Sequence, residues 1–183
     1  EMVQRGCGER DSRAFIEDLE NLGVDRSASV GVTHASFGGA MPFDKLDAAL
    51  AIYADLVRDA HLPEEQLEDS KQSCAQEIRA LEDDLPQRAM IELRKRHYGD
   101  PLGRSSLGTL ESLERIEAGD VESAYRLGYR PDRAILSVAG KIDWPALCDR
   151  VESLFGGWRS AAEGKPVETP AEAGYVHLAH PSS

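Results

Sequence analysis

Glu77 and Cys74 are the two residues of this chain whose types and spacing point most directly to chemistry. They lie three positions apart in a segment with helical periodicity, so both side chains project from the same side of one helix. A carboxylate and a thiolate can each ligate a metal ion, and a carboxylate can also act as a general base. The two residues equally fit a solvated or salt-bridged helix acid and a thiol buried in an apolar stripe, and burial is the simpler account of Cys74.

The histidines add no ligand at the spacing that a helical metal site requires. His34, His61 and His97 each lack a second His, or a Glu, at the positions of a known metal motif, so they are predicted to be loop or surface residues. His177 and His180 flank a strand-like run, where a separation of three places them on opposite faces. Joint ligation by these histidines is therefore disfavoured.

The composition argues against binding to a phosphate backbone. The chain has 33 Asp and Glu against 21 Lys and Arg, a net charge of −12, whereas nucleic acids are bound by clusters of Lys and Arg. The run from Gly103 to Gly108 has the glycines and serines of a phosphate loop. It lacks Gly-Lys-Ser/Thr and follows no predicted strand, so a structural turn is predicted.

Neither a membrane span nor a disulfide framework is predicted. No apolar run approaches the roughly 20 residues that cross a bilayer as a helix. Cys7, Cys74 and Cys148 are odd in number and far apart, which fits reduced thiols. Reduced thiols favour the cytoplasm, and nothing else in the sequence fixes the compartment.

The periodicity predicts an α+β fold in which helices pack on one face of a mainly antiparallel sheet. A helix capped by Asp11 or Ser12 ends near Gly23, and one bent strand or two short strands follow before Met41, with Gly38 and Gly39 at a bulge or close approach. The remaining predicted elements are helices over 42–58, from 62–65 onward through Glu77, from 86 to about 97, around 110–116 and over 120–127, a buried strand over 133–140, and a helix from 143 to about 155.

Residues 1–159 are predicted to form the main part of one domain. Residues 160–174 are rich in Ala, Glu, Pro and Gly and are predicted to be a linker. Residues 175–183 are predicted to begin a next repeat or to form a returning strand. Because Glu1 and Met2 fall in an apparently helical context, we expect the chain to be an internal piece of a longer protein.

Five segments along the chain form a recognisable series. The first two are Met-Val-Gln-Arg-Gly at 2–6, before an amphipathic helix, and Glu77-Ile78 followed by Asp-Asp at 83–84 and Pro at 86. The others are Tyr-Gly-Asp-Pro-Leu-Gly-Arg at 98–104, Tyr-Arg-Pro-Asp at 129–132 before an apolar run, and Phe-Gly-Gly-Trp at 155–158. In this order they resemble the insulinase/pitrilysin family of zinc peptidases (inverzincins), which includes the mitochondrial processing peptidases.

The resemblance implies a role for Glu77 and two departures from the zinc site of the family. Active members carry His-x-x-Glu-His on one helix, and a Glu on a second helix, about 76 positions after the second His, completes the ligand set. Glu77 matches that third-ligand position, and Glu1 falls where the second His would stand. Ser70 replaces an acidic residue that active members usually carry two turns before the ligand Glu. A carboxylate in place of an imidazole suits zinc less well, so we expect a remnant site without metal.

By this resemblance, the expected function is a non-catalytic, processing-peptidase-like domain with no cofactor. Such a domain would form half of a peptide-binding chamber together with an active peptidase half or a homologous subunit, and would bind a peptide or protein substrate. One alternative is an active zinc metalloendopeptidase unit whose His-x-x-Glu-His motif lies upstream or is misaligned. A second alternative is a structural assembly subunit.

Overall fold

Helices and short strands alternate along the chain, which confirms the predicted α+β class. The computed structural model describes residues 1–159. Within those residues the helices are α1 (Ser12–Asn21), α2 (Leu46–Arg58), α3 (Leu67–Asp83), α4 (Leu85–Tyr98), α5 (Leu110–Glu114), α6 (Ala118–Gly128) and α7 (Trp144–Phe155). The strands there are β1 (Gly6–Cys7), β2 (Arg10–Asp11), β3 (Asp25–Val30) and β4 (Ala35–Ala40). They form two two-stranded sheets, β1 with β2 and β3 with β4. None of these helices is long and apolar enough to cross a membrane.

The chain divides into two compact units. The first comprises Glu1–Ser29, Ser36–Ser70 and the described residues from Ile116 onward, and the second comprises Val30–Ala35 and Lys71–Arg115. The first unit contains the main apolar core, and the second contains Glu77. The predicted linker at 160–174 and the predicted new element at 175–183 lie outside the described residues and stay predictions.

The core of the first unit forms where α1 and α2 bury their apolar faces. Phe15 and Leu19 of α1 lie one turn apart and are 2% and 0% exposed, and Leu56 of α2 is 1% exposed. The remaining members of the buried cluster are Cys7, Val24, Ala49 and Ile52. These residues share the helical or strand spacing that the sequence shows, so amphipathic burial fixes this part of the fold.

Side chains that accept hydrogen bonds from the first turn set the start of several helices. Asp11 accepts from the backbone N–H of Arg13 and of Ala14 at 3.0 and 2.8 Å, which begins α1 as predicted. Asp143 accepts from the N–H of Ala146 at 3.1 Å and begins α7 as predicted. Asp84 caps α4 in the same way. Local capping chemistry therefore defines these boundaries.

The segment after α1 contains two strands rather than one bent strand. β3 and β4 are joined by a turn in which the N–H of Gly31 donates to the carbonyl of His34 at 2.8 Å. Gly39 of β4 lies at a close approach, because a Cβ there would be 2.5 Å from Cγ1 of Val24 and 3.0 Å from the hydroxyl of Tyr53. The predicted close approach is therefore confirmed, and it explains why glycine occupies this strand position.

The prediction of a buried strand over 133–140 is wrong. Pro131–Arg133 form a 3₁₀ turn, and the residues that follow are irregular. Ile135 is 93% exposed and Leu136 is 48% exposed. A strand exists only where its backbone pairs with a neighbouring strand, and none of the described strands pairs with this run. The apolar composition of residues 133–140 does not by itself provide a neighbouring strand for them to pair with.

Candidate functional site

Glu77 lies in the second unit on α3, the helix on which its spacing predicts it. The side chain of Glu77 is exposed, whereas Ile78 beside it is buried and Cys74 one turn earlier is half-buried. Cys74 and Ile78 therefore belong to the apolar side of the helix, and Glu77 faces solvent at its margin. The thiol of Cys74 therefore lies in the apolar stripe but is half-buried, not buried as predicted, and the carboxylate of Glu77 is accessible.

Glu1, the residue at the expected second-histidine position, has a partner inside the first unit. Its Oε1 atom accepts a hydrogen bond from the guanidinium of Arg5 at 2.7 Å. The two residues flank the 3₁₀ turn of Met2–Gln4, in which Met2 is buried. The carboxylate of Glu1 therefore already pairs with a cation. The two residues are four positions apart, a spacing at which side chains meet on a helix.

Ser70, the residue at the expected acidic position, is buried and neutral. It is 3% exposed, and its hydroxyl has no hydrogen-bond partner in the part of the chain that the structure describes. A buried hydroxyl without a partner is costly. The position consequently offers neither a negative charge nor a hydrogen bond that could orient a metal ligand.

The donor set around Glu77 does not fit a zinc ion within the described residues. Zinc in proteins takes three or four ligands from His, Cys, Asp and Glu side chains. Residues 1–159 contain no group of three or more such side chains arranged to hold a metal ion. None of the described residues forms such a group with Glu77, and Glu1 is directed to Arg5.

The three histidines within the described residues have separate local contacts. A ring nitrogen of His61 forms a hydrogen bond of 2.6 Å with the carbonyl of Gly8. His34 contacts the hydroxyl of Thr33 at 3.1 Å, and the ring of His97 packs edge-on against Tyr98. His177 and His180 lie outside the described residues. Among the described histidines, none is part of a metal-binding group.

A cavity in the second unit is lined by Arg104 from the run between Gly103 and Gly108, and by Arg94, which belongs to none of the motifs named above. Its volume is ≈ 180 Å³, and its polar lining residues are Gln87, Arg94, Arg104, Ser105 and Ser106. Arg104 is paired with the carboxylate of Asp100, and this hydrogen-bonded pairing raises the pKa of its guanidinium. Arg94 has no acid three or four positions away on α4, a signal in the sequence that could have marked it as available.

Comparison with known proteins finds relatives that are named as peptidases. The sequence model of the insulinase family (peptidase family M16) matches residues 1–110. The probable mitochondrial-processing peptidase subunit beta of Schizosaccharomyces pombe is 28% identical over 91% of this chain and 36% of its own length. The uncharacterized zinc protease YmxG of Bacillus subtilis is 26% identical over 92% of this chain and 41% of its own length.

A solved structure from the same family shares this fold. The crystal structure of a peptidase M16 inactive domain from Pseudomonas fluorescens superposes with a TM-score of 0.78, at 20% identity, over 93% of this chain and 42% of that chain. This chain thus spans between 36% and 42% of the lengths of the proteins it matches here. Because the family model covers more than half of the sequence, the chain belongs to the insulinase family, peptidase family M16.

Proposed function

We propose that this chain is a non-catalytic domain of an insulinase-family peptidase, forming half of a peptide-binding chamber whose other half carries the active site. Glu77 would be the remnant of the third-ligand position and would hold no zinc. The chain would contribute substrate binding, and the active half or a homologous subunit would contribute the chemistry. A cytoplasmic location stays a prediction from the scattered cysteines.

The ion pair between Glu1 and Arg5 is the observation that carries this proposal. In the register that the resemblance gives, Glu1 occupies the position of a zinc-binding histidine. Its carboxylate lies 2.7 Å from a guanidinium, and that contact competes with a metal ion for the same oxygen. An imidazole would be neutral and would not attract Arg5. The residue type and its contact both argue against a zinc ligand here.

Ser70, which lies on the same helix as Glu77, also supports the proposal that this domain holds no zinc. Metal-binding side chains are normally oriented by hydrogen-bonded partners, and losing such a partner weakens metal binding by roughly 10–100-fold. The hydroxyl of Ser70 makes no hydrogen bond among the described residues and carries no charge. The fold itself does not demand catalysis, because a domain named inactive shares it.

Peptide binding is supported by the sheet of β3 and β4. All six residues of β3 are exposed, and the sheet has two strands among the described residues, so each strand keeps an unpaired backbone edge there. An extended peptide can add to such an edge through main-chain hydrogen bonds. A partner half is supported by length, because the matched proteins are more than twice as long as this chain.

Zinc content and peptide binding of the full-length protein test this proposal together. We expect any zinc and any EDTA-sensitive cleavage of a quenched peptide to come from the active half alone, and we expect measurable binding of an extended peptide by fluorescence anisotropy. Glu77→Gln should change none of these readouts. Glu82→Gln, which removes another exposed acid from the same helix, is the matched control.

Two outcomes would overturn the proposal. Stoichiometric zinc with EDTA-sensitive cleavage, both lost in Glu77→Gln and kept in Glu82→Gln, would establish an active endopeptidase unit. Absence of zinc, of cleavage and of peptide binding, in the presence of the partner half, would favour the assembly-subunit alternative.

A further inference from the structure

We propose that the cavity beside α4 binds the free C-terminal carboxylate of a peptide whose last side chain is aliphatic. This inference rests on the proposed peptide-binding function and deepens it, because it names the end of the peptide that the domain recognises. The cavity lies wholly within the second unit. Its described lining residues come from the segment 30–32, from α4 and from the segment 104–107.

The polar lining consists of groups that can donate hydrogen bonds to an anion. Arg94 and Arg104 supply guanidinium groups, Gln87 supplies an amide, and two adjacent serines supply hydroxyls. None of the described residues that line the cavity is acidic. In a chain with a net charge of −12, a concave surface whose described lining has cations and no acids is a local exception that favours a negatively charged ligand.

Arg94 is the cation in this lining that is available to a ligand. Arg104 is already held by Asp100, and Arg96, two residues further along the helix, is held by Glu92 at 2.7 Å. Among the described residues, no ion pair involves Arg94, whose side chain is exposed. A guanidinium can bind a carboxylate with two parallel hydrogen bonds, which gives both affinity and orientation.

The hydrogen bonds of Ser105 and Asp100 leave donor groups in the cavity available to a ligand. The hydroxyl of Ser105 accepts from the backbone N–H of Leu107 at 3.3 Å, so its own hydrogen remains available for donation. The carboxylate of Asp100 is directed to Arg104. Arg94, Gln87 and the serines can therefore converge on a ligand oxygen without first breaking an ion pair that the structure shows.

The apolar lining and the size of the cavity define the rest of the ligand. Val30, Val32, Ile91 and Leu107 line it beside the polar groups. Drug-sized ligands occupy pockets of roughly 300–1,000 Å³, and a cavity of ≈ 180 Å³ is smaller than that range. It suits one terminal residue. An aliphatic C-terminal residue places a carboxylate next to three or four apolar carbons, whereas the side chain of Asp or Glu offers only one or two.

Small probes test the cavity separately from the rest of the peptide. We expect N-acetyl-L-leucine to bind the full-length protein, followed by chemical-shift changes at Gln87 and Leu107, and N-acetyl-L-leucinamide to bind at least about tenfold more weakly, because the amide lacks the charge that Arg94 pairs with. Arg94→Gln should reduce the affinity for the acid to that for the amide. Arg79→Gln removes an exposed arginine outside the cavity and should leave both affinities unchanged.

The outcomes separate this inference from the proposed function. Equal affinities for the acid and the amide, or unchanged binding in Arg94→Gln, would rule out the carboxylate site even if longer peptides bind elsewhere. Inorganic phosphate competing with an affinity equal to that of N-acetyl-L-leucine would replace the assignment with a general oxyanion site. Binding of the acid at Arg94, together with no binding of extended peptides, would leave the cavity site standing and refute the proposed function alone.

Discussion

The guanidinium of Arg10 donates a hydrogen bond to the carboxylate of Asp55 at 3.0 Å, joining β2 to helix α2 across 45 residues of sequence. The same guanidinium also reaches Asp18 of α1 at 2.8 Å, so one cation links three elements of the first unit. Gly8 makes room for this contact, because a Cβ there would lie 2.9 Å from Oδ2 of Asp55. The backbone of Gly8 has φ of +57°, which favours glycine independently.

Replacing Arg10 should lower the stability of the first unit measurably. We expect Arg10→Ala to reduce the free energy of unfolding by about 1 kcal/mol, because two hydrogen-bonded carboxylates lose a shared partner that is only 26% exposed. Urea denaturation followed by circular dichroism measures the change. Arg13→Ala is the control, since its pair with Glu17 is a solvent-exposed helix pair and should cost less than about 0.5 kcal/mol. Equal losses in the two variants would contradict the linking role of Arg10.

The thiol of Cys7 should make the first unit less stable in alkaline solution. Cys7 is 0% exposed, and burial, reinforced by the negative charge of Asp55, raises its pKa from 9.0 to about 11. The unfolded thiol ionises near pH 9, whereas the folded one stays neutral. The stabilisation from Cys7 is therefore complete below pH 9 and is lost as the pH rises from 9 to 11.

Comparison with a variant isolates this effect from other groups that ionise at high pH. Between pH 8 and pH 10, the wild-type protein should lose about 1 kcal/mol more free energy of unfolding than Cys7→Ala does. Urea titrations at the two pH values give both losses. In the same range, iodoacetamide should modify the exposed Cys148 and leave Cys7 unmodified in the folded protein. The same pH dependence in both proteins would show that Cys7 does not ionise differently on folding.

A methyl group at Gly39 should disrupt the contact between β4 and the core. The added Cβ would lie 2.5 Å from Val24, a buried core residue, and could not be accommodated without a shift of the strand. We expect Gly39→Ala to cost about 1–3 kcal/mol in thermal or urea unfolding. Gly119→Ala provides the comparison, because no atom of the described residues lies within 4 Å of a Cβ at that position near the start of α6, and its effect should be neutral or slightly stabilising. A neutral Gly39→Ala would mean that β4 packs differently.

The parts of the fold that the sequence predicts correctly are those with local causes. Helices α1 and α7 start at Asp11 and Asp143, whose side chains bond to residues two or three positions away. The strand predicted over 133–140 fails for the opposite reason. Its apolar residues satisfy the composition of a buried strand, but pairing depends on a partner elsewhere in the sequence, and the pattern around Ile135 contains no information about that partner.

The candidate sites also combine features with local causes, which the sequence predicts, and features that depend on packing, which it does not. The apolar spacing around Cys74 and Ile78 predicts the helix on which Glu77 lies, and the contact between Glu1 and Arg5 is of the i, i+4 type that sequence can predict. The cavity at Arg94 could not be located in this way. It is formed by the turn after β3, helix α4 and the loop before α5, segments whose approach depends on packing within the second unit.

Substitutions at Ser70 test whether α3, the helix that carries Glu77, can still hold a charged side chain at this buried position. Its hydroxyl is buried without a partner among the described residues, so Ser70→Ala should increase the free energy of unfolding, by about 1 kcal/mol from the removed polar group and about 0.5 kcal/mol from helix propensity. Ser123→Ala, at an exposed position in α6, should gain only the propensity part. Urea denaturation of the two variants separates the contributions, and equal gains would indicate that the Ser70 hydroxyl is satisfied in solution.

Ser70→Glu should instead cost several kcal/mol, because a carboxylate at a 3% exposed position loses most of its hydration. A stable Ser70→Glu protein that gains stoichiometric zinc would show that the site around Glu77 still accepts the charge, and would reverse the conclusion that its position is a remnant.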